Sequence, residues 1–342
     1  MVSLVTFHII GAFKRLLTAV PALLGILVVT FLLLRVLPGD PAGLMAPPSA
    51  SNDVLDEIRK QMGLDKSIPE QLAIYAVQVA QGDLGQSHMT GQSVTTDLWR
   101  RLPASIELIT CALIVALIFS LPLGVAAALR QGSLIDHFVR VVCTFGVAIP
   151  TFVSGLLLIY IFYYDLGWAP DPTGRMDIFA TAPSTFTGFY LIDSLLVGDV
   201  ETFWAAARQL VLPTLTLALF VVAPLTRVTR ASMLSVLESD YIRMAEATGL
   251  SRPTIIVVYA LRNAILPVLT TLGPVFSSLL GANVMVEKVF AWPGIASYAA
   301  DGLASSDFAP VQGFVLLMAV AYVVLNWLID VLSSFADPRV SL

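Results

Sequence analysis

Charge is scarce in this sequence. Only 13% of its 342 residues are Asp, Glu, Lys or Arg, against 57% hydrophobic residues, and the mean hydropathy is +0.84. That balance excludes a soluble globular chain and a nucleic-acid binder, and no basic patch suited to nucleic acid is present. Cysteine is nearly absent: Cys111 and Cys143 both lie in apolar runs, where a thiol behaves as a small packing residue, so neither a disulfide nor a metal site is indicated. The three histidines, His8, His88 and His137, are scattered, without a second ligand at metal spacing. No GxxxxGK[ST] stretch exists, because none of Lys14, Lys60, Lys66 and Lys288 follows a glycine. The chain therefore lacks a phosphate loop, and any ATP used to drive it binds elsewhere. No Ser–His–Asp arrangement or zinc cluster is supported, and an enzymatic role for the chain itself is disfavoured.

What the sequence has in quantity is long apolar runs, and about 20 such residues are needed to cross a bilayer as a helix. Six can be counted, roughly Leu16–Val36, Ala104–Leu129, Val139–Tyr163, Gln209–Thr226, Ala264–Val286 and Val311–Ser333. They predict an all-α membrane protein with six transmembrane helices and extracytoplasmic loops. Lys14-Arg15 precede a first run too long for a signal peptide, which reads as a retained span. An even number of spans puts both termini on one side. Lys14, Arg15, Arg130, Arg140, the five arginines from Arg227 to Arg262, and Arg339 share that side. The other side collects carboxylates, among them Asp53, Asp56, Glu57, Asp171, Asp177, Asp193, Asp199 and Glu201. The asymmetry predicts cytoplasmic termini.

No charge falls near the middle of any of these runs. Glu107 lies near the outer start of the second, Asp330 near the inner end of the sixth, and Glu287 and Lys288 border the outer face. An ion-coupled carrier usually needs an ionisable or broken-helix site at mid-depth, so secondary transport is the weaker reading. Pro122, Pro150, Pro213, Pro224, Pro267 and Pro274 are more simply bends or helix starts.

Between the first two runs, Asp53 to Met62 predicts an amphipathic helix. Ser67-Ile68-Pro69-Glu70 has the form of a capping box opening a second helix through about Val79, and Gly82-Asp83-Leu84-Gly85 predicts a turn. In the segment Asp165 to Arg208, turn signals at Pro170, Pro172, Gly174 and Pro183 precede Phe189, Leu191, Ile192, Leu195 and Leu196, apolar residues expected to pack on the outer bundle mouth or a partner. Trp292 suits an interfacial belt equally well.

The stretch Asp240 to Pro267, DYIRMAEATGLSRPTIIVVYALRNAILP, reads as two short helices hinged at a glycine. Tyr241 to Thr248 forms about two turns, and Gly249 sits where a left-handed residue is wanted. Ser251 then caps the next helix, with Pro253 in its first turn. By itself this is equally well an arginine-rich cytoplasmic linker.

The wording of the stretch resembles the cytoplasmic EAA loop of ABC-transporter permeases, in the dipeptide/oligopeptide variant, where the glycine is followed by a segment like Ala260-Leu261-Arg262-Asn263-Ala264-Ile265-Leu266-Pro267. Aligned on Gly249, the three eponymous positions fall on Arg243, Met244 and Ala245; Ala245-Glu246-Ala247 is offset from them by two or three positions. Glu246 stands where basic residues are common, and Tyr259 where a histidine is common. The resemblance runs along nearly the whole chain, through Gly39-Asp40-Pro41, Gly63-Leu64-Asp65, Gly82 to Ser87, Thr187 to Leu196, Glu287 to Gly294, Asp307 to Gly313, Asn326 and Asp337-Pro338-Arg339. It implies a type I importer fold, divided as an N-terminal helix and outer region (1–103), a permease core (104–335) and a tail (336–342). It also implies an inner-membrane location, a second homologous permease, two ATPase subunits that hold ATP and magnesium, and an extracytoplasmic solute-binding protein. This chain itself would bind no cofactor. Docking to the ATPases would fall to Arg243, Met244, Ala245, Glu246, Gly249 and Leu250, with Tyr241, Arg262, Asn263 and Pro267 as loop framework. Dipeptides or oligopeptides are the implied cargo; nickel complexes and glutathione are carried by other members. A non-transporting membrane scaffold is the remaining alternative class.

Overall fold

The computed structural model describes residues 20–32, 51–61 and 63–336. Among these residues the chain is helical, with one isolated β-bridge between Gln86 and Ser93. Lys14-Arg15, His8, the ends of the run Leu16–Val36, Gly39-Asp40-Pro41, Met62 and the tail from Asp337 lie outside them, as do the side chains of Asp330, Ser333 and Ser334.

Helix α1 covers Val20–Leu32. The two helices expected between the first two runs follow, α2 at Asn52–Gln61 and α3 at Ile68–Ala80. Ser67 has the extended backbone of an N-cap, but its hydroxyl makes no capping bond. Pro69 has removed one of the amides such a side chain can take. The Gln71 side-chain amide holds the entry instead, donating to Lys66 O at 2.8 Å and Leu64 O at 3.3 Å.

Among the described residues four helices are long and apolar enough to cross a membrane: α4 (Val94–Leu129), α8 (Val200–Leu237), α10 (Arg252–Val289) and α12 (Phe308–Ala336, apolar through Ile329). The expected third run divides into α5 (Leu134–Ala148) and α6 (Thr151–Asp165), bent by 101° at Ile149-Pro150. Proline explains the break, since it has no N–H to continue α5 and its fixed φ suits the start of α6. Counting that pair as one span gives five, and the described part of the first run is a 13-residue helix, so six spans are not reached among the described residues. Helix α4 begins ten residues before the apolar run and carries Pro103 inside it, so the expected division at 103/104 falls within one continuous helix.

Helices α4 and α8 form the centre. Ala112, Ala116, Ser120 and Gly124 recur every four residues and make one buried stripe of small side chains on α4. Such a stripe lets two backbones approach closely. The approach is tight at Gly124, where an added Cβ would stand 2.6 Å from Thr229 Cβ. Leu217, Val221 and Leu225 of α8, and Val268, Val275 and Leu279 of α10, fill the rest of this core. Pro122, Pro213, Pro224, Pro267 and Pro274 all lie inside helices. Cys111 is half-buried and Cys143 buried, both as free thiols.

Candidate functional site

At one end of the bundle, α9 (Asp240–Ala247) links α8 to α10. Ile242 and Ala245, three residues apart and so on one face, are buried against Ala128, Met233, Ile255, Ala260 and Ala264. The opposite face is open: Met244 is 70% exposed, Tyr241 43% and Leu250 38%, and Arg243 and Glu246 are exposed beside them. Arg243 leans on Asp240 at 3.3 Å, both in solvent, a contact of little energetic weight.

Gly249 ends the helix at φ +77°. Its N–H donates to Glu246 O at 3.0 Å, and the Leu250 N–H reaches back to Ala245 O at 3.3 Å. These are the two bonds of a Schellman motif, which satisfies carbonyls the helix end leaves unpaired. The expected glycine hinge is therefore present in hydrogen-bonded form. Its second arm differs from expectation. Arg252–Thr254 is not a separate short helix but the first turn of α10, continued through a π-helical stretch at Ile255–Leu261. Ser251 has N-cap backbone, but its hydroxyl pairs with Thr254 Oγ1 at 2.7 Å rather than capping an amide.

The sequence-predicted site residues thus separate. Arg243, Met244, Glu246, Gly249, Leu250 and Tyr241 are all exposed, while Ala245 faces inward as an anchor. Arg262, Asn263 and Pro267 lie along α10; the Asn263 amide donates to Tyr259 O at 2.8 Å. Arg230, on the approach, belongs to an ion pair with Asp136 at 2.7 Å.

The far end of α10, roughly 50 Å away for a 38-residue helix, carries a cluster of buried polar side chains. Glu287 Oε1 accepts from Ser105 Oγ at 2.5 Å and Asn283 Nδ2 at 2.6 Å, and Oε2 from the Ser297 amide at 2.7 Å. Glu287, placed by the sequence at the border of a span, is fully buried, and it has no ion pair among the described residues. It ties α10 to α4 and to α11 (Ile295–Ala304). Trp292 is buried too, its indole N–H donating to Ala104 O at 2.9 Å, which corrects the interfacial-belt alternative. Glu107 pairs with buried Arg175 at 2.7 Å, and the Arg175 guanidinium lies 3.4 Å from the centre of the Tyr190 ring.

Two further carboxylates close the same end. Asp97 accepts from Thr90 Oγ1 at 2.5 Å and the Tyr298 hydroxyl at 3.0 Å. Burial, with the Asp97 hydrogen bond behind it, pushes the Tyr298 phenol up to about 12, so it remains a donor at physiological pH. Asp307 accepts from Ser87 Oγ at 2.7 Å and the Met89 amide at 3.1 Å. Helix α7 (Tyr190–Val197) is held at its start by Asp193, which accepts from the Thr187 hydroxyl and amide and the Gly188 amide at 2.7–2.9 Å. Of the apolar residues expected to pack there, Leu191 joins the central core, whereas Ile192, Leu195 and Leu196 are exposed. Sequence reasoning missed Ser105, Asn283 and Arg175 altogether, because no local pattern distinguishes them.

Nothing in either cluster resembles a hydrolytic or metal-binding centre: among the described residues no group of three His, Cys, Asp or Glu could hold a metal ion. The arrangement is one of rigid struts joining helices at one end and an exposed, anchored knob at the other.

Comparison with known proteins gives this architecture its relatives. Residues 120–342 match the pattern of the family described as "Binding-protein-dependent transport system inner membrane component", and residues 8–109 match its N-terminal companion. The chain is 40% identical over 316 residues to the probable D,D-dipeptide transport system permease protein DdpB of Escherichia coli K12, covering 92% of this chain and 93% of that one. It is 39% identical over 329 residues to the di/tripeptide transport system permease protein DppB of Pseudomonas aeruginosa, covering 96% and 97%. The glutathione transport system permease protein GsiC of Pectobacterium atrosepticum is 34% identical over 327 residues, covering 96% and 97%. By its sequence along nearly its full length, the chain belongs to the family of binding-protein-dependent transport system inner membrane components.

Proposed function

We propose that this chain is the permease subunit of an ATP-driven importer for dipeptides or oligopeptides, and that it acts as a gate moved from the Gly249 loop. The single observation carrying the mechanism is the two-faced construction of α9: Ile242 and Ala245 lock it to the bundle while Met244 and Leu250 stand exposed beside Arg243 and Glu246. A short helix fixed on one side and open on the other can pass a push to the bundle without deforming. The push comes from two ATPase subunits, which bind ATP and magnesium on their own residues. Tyr241, Gly249, Arg262, Asn263 and Pro267 keep the loop in shape.

In this reading α9 lies in the cytoplasm, as do both termini, and the first apolar run completes six spans of a type I importer fold. A second, homologous permease completes the pore, and a solute-binding protein delivers cargo to the end that carries Glu287 and α7. ATP binding draws the ATPases together and shifts the helices between inward- and outward-open states as rigid bodies. The peptide transporters among the relatives favour peptide cargo. Glutathione is the second reading, supported by the glutathione permease at 34% identity.

The docking role is tested by co-expressing the chain with its partners and measuring ATPase co-purification. Leu250→Asp and Met244→Asp are expected to release the ATPases while leaving the permease in the membrane. Full retention with normal substrate-stimulated hydrolysis would show that the ATPases grip some other surface.

A further inference from the structure

At the end of the bundle opposite Gly249, the end of α6, the turn that follows it and the third to fifth turns of α8 line a cavity of about 200 Å³. Phe162, Trp168, Val211, Leu212 and Leu215 supply apolar walls, and Arg208 is the one charged residue lining it. The Arg208 side chain is exposed and makes no ion pair or hydrogen bond among the described residues. Of the carboxylates nearest in sequence, Asp199 accepts from Thr202 and Asp193 from Thr187 and Gly188, and neither they nor Glu201 pair with it. Four aromatic rings on the same stretches of chain are exposed: Trp168, which lines the cavity, and Tyr164, each 75% exposed, and Tyr160 of α6 and Trp204 of α8, each 59%. Tyr160 and Tyr164 stack with ring centres 5.6 Å apart.

Exposed Trp and Tyr gather at the level where lipid headgroups meet hydrocarbon. An unpaired arginine at that level matches a phosphate, which it can hold through two parallel hydrogen bonds. We propose that this cleft binds an anionic phospholipid of the adjacent leaflet, with its phosphate on Arg208 and the upper part of an acyl chain between Phe162, Val211, Leu212 and Leu215. A peptide fits less well. Its backbone amides and carbonyls would enter an apolar pocket in which Arg208 is the only charged partner, and unpaired polar groups there are costly. A lipid asks only for a cation and greasy walls. The bound lipid fills the wedge between the α6 turn and α8, and so braces the end of α8 that carries Asp199 and Thr202.

The test uses the full-length chain in a neutral maltoside detergent, titrated with dioleoylphosphatidylglycerol or dioleoylphosphatidylcholine, with bound lipid counted by native mass spectrometry. The anionic lipid is expected to be retained about five-fold better, as one cation near an anionic headgroup predicts. Arg208→Gln removes that preference and Arg208→Lys preserves most of it. Val211→Trp, which fills the cavity and leaves the charge alone, lowers retention of both lipids and remains informative if Arg208→Gln fails to fold. Equal retention of the two lipids, or an undiminished preference in Arg208→Gln, overturns the proposal. So does displacement by glycerophosphoglycerol, which would indicate a site for free phosphate esters, or by dialanine, which would indicate a peptide site.

Discussion

Arg230 of α8 grips Asp136 of α5 with both ends of its guanidinium, Nε to Oδ1 at 2.7 Å and one terminal nitrogen to Oδ2 at 2.8 Å. Asp136 is buried, and the Gly132 amide and, more distantly, Arg140 complete its surroundings. The pair fastens the bent α5–α6 unit to the central helix close to the Gly249 end.

Removing one partner of such a pair leaves an uncompensated buried charge. Arg230→Ala is expected to lower stability by about 3 kcal/mol, the low end of the usual range because Arg140 remains 3.7 Å from Asp136. Asp136→Asn should cost less, since Arg230 is partly exposed and can turn to solvent. Thermal unfolding of the purified variants in one detergent checks the order; equal midpoints for Arg230→Ala and the parent chain would contradict it.

Gly249 provides a cleaner test of backbone strain. A Cβ placed there meets nothing within 4 Å, so any cost comes from φ +77° alone. Gly249→Ala should cost about 1 kcal/mol and Gly249→Asn less, because asparagine tolerates the left-handed region. Unfolding midpoints that rank Gly, Asn, Ala from high to low would agree; an Ala variant as stable as Gly would not.

Glu287 is surrounded by donors on both oxygens. A glutamine must turn its NH2 toward one of them, so Glu287→Gln is expected to destabilise despite its matching shape, by about 1–3 kcal/mol for an unsatisfied buried group. Chemical denaturation of the variant measures this. A neutral effect would mean that the carboxylate does not hold α11 to α10.

Asp193 sets a pH dependence. Burial opposes its charge, but hydrogen bonds from the Thr187 side chain and from the amides of Thr187, Gly188 and Phe186 prevail and hold the carboxyl below the usual aspartate range. Its folded value is depressed, so its contribution is complete above the unfolded pKa and disappears as pH falls through the folded one. Hydrogen exchange of the α7 amides should therefore quicken, relative to the rest of the chain, only at acidic pH below the ordinary aspartate value, and Asp193→Asn should abolish that step.

Local features were legible in the sequence and long-range ones were not. The α9 helix with its left-handed glycine could be read from Tyr241 to Gly249, because both depend on neighbours within one turn. Pro150 could be read as a bend or helix start, but the size of the bend could not, because hydropathy sees the run as continuous. Ser105 and Glu287 are 182 positions apart, and neither residue carries a local mark of the bond they share. Trp292 looks the same in sequence whether its indole faces lipid or, as here, the Ala104 carbonyl. Ala245 belonged to the expected docking set by alignment, yet helical periodicity from Ile242 places it on the buried face.

The central claim is that the chain is a gate driven from α9 by ATPases it does not contain. The most direct measurement is peptide uptake into proteoliposomes holding either the chain alone under an ion gradient or the complete assembly with binding protein and ATP. The account predicts uptake only by the assembly, abolished by Leu250→Asp in the permease with the ATPases present in the same amount. Uptake by the chain alone, or undiminished ATP-driven uptake with Leu250→Asp, would contradict it.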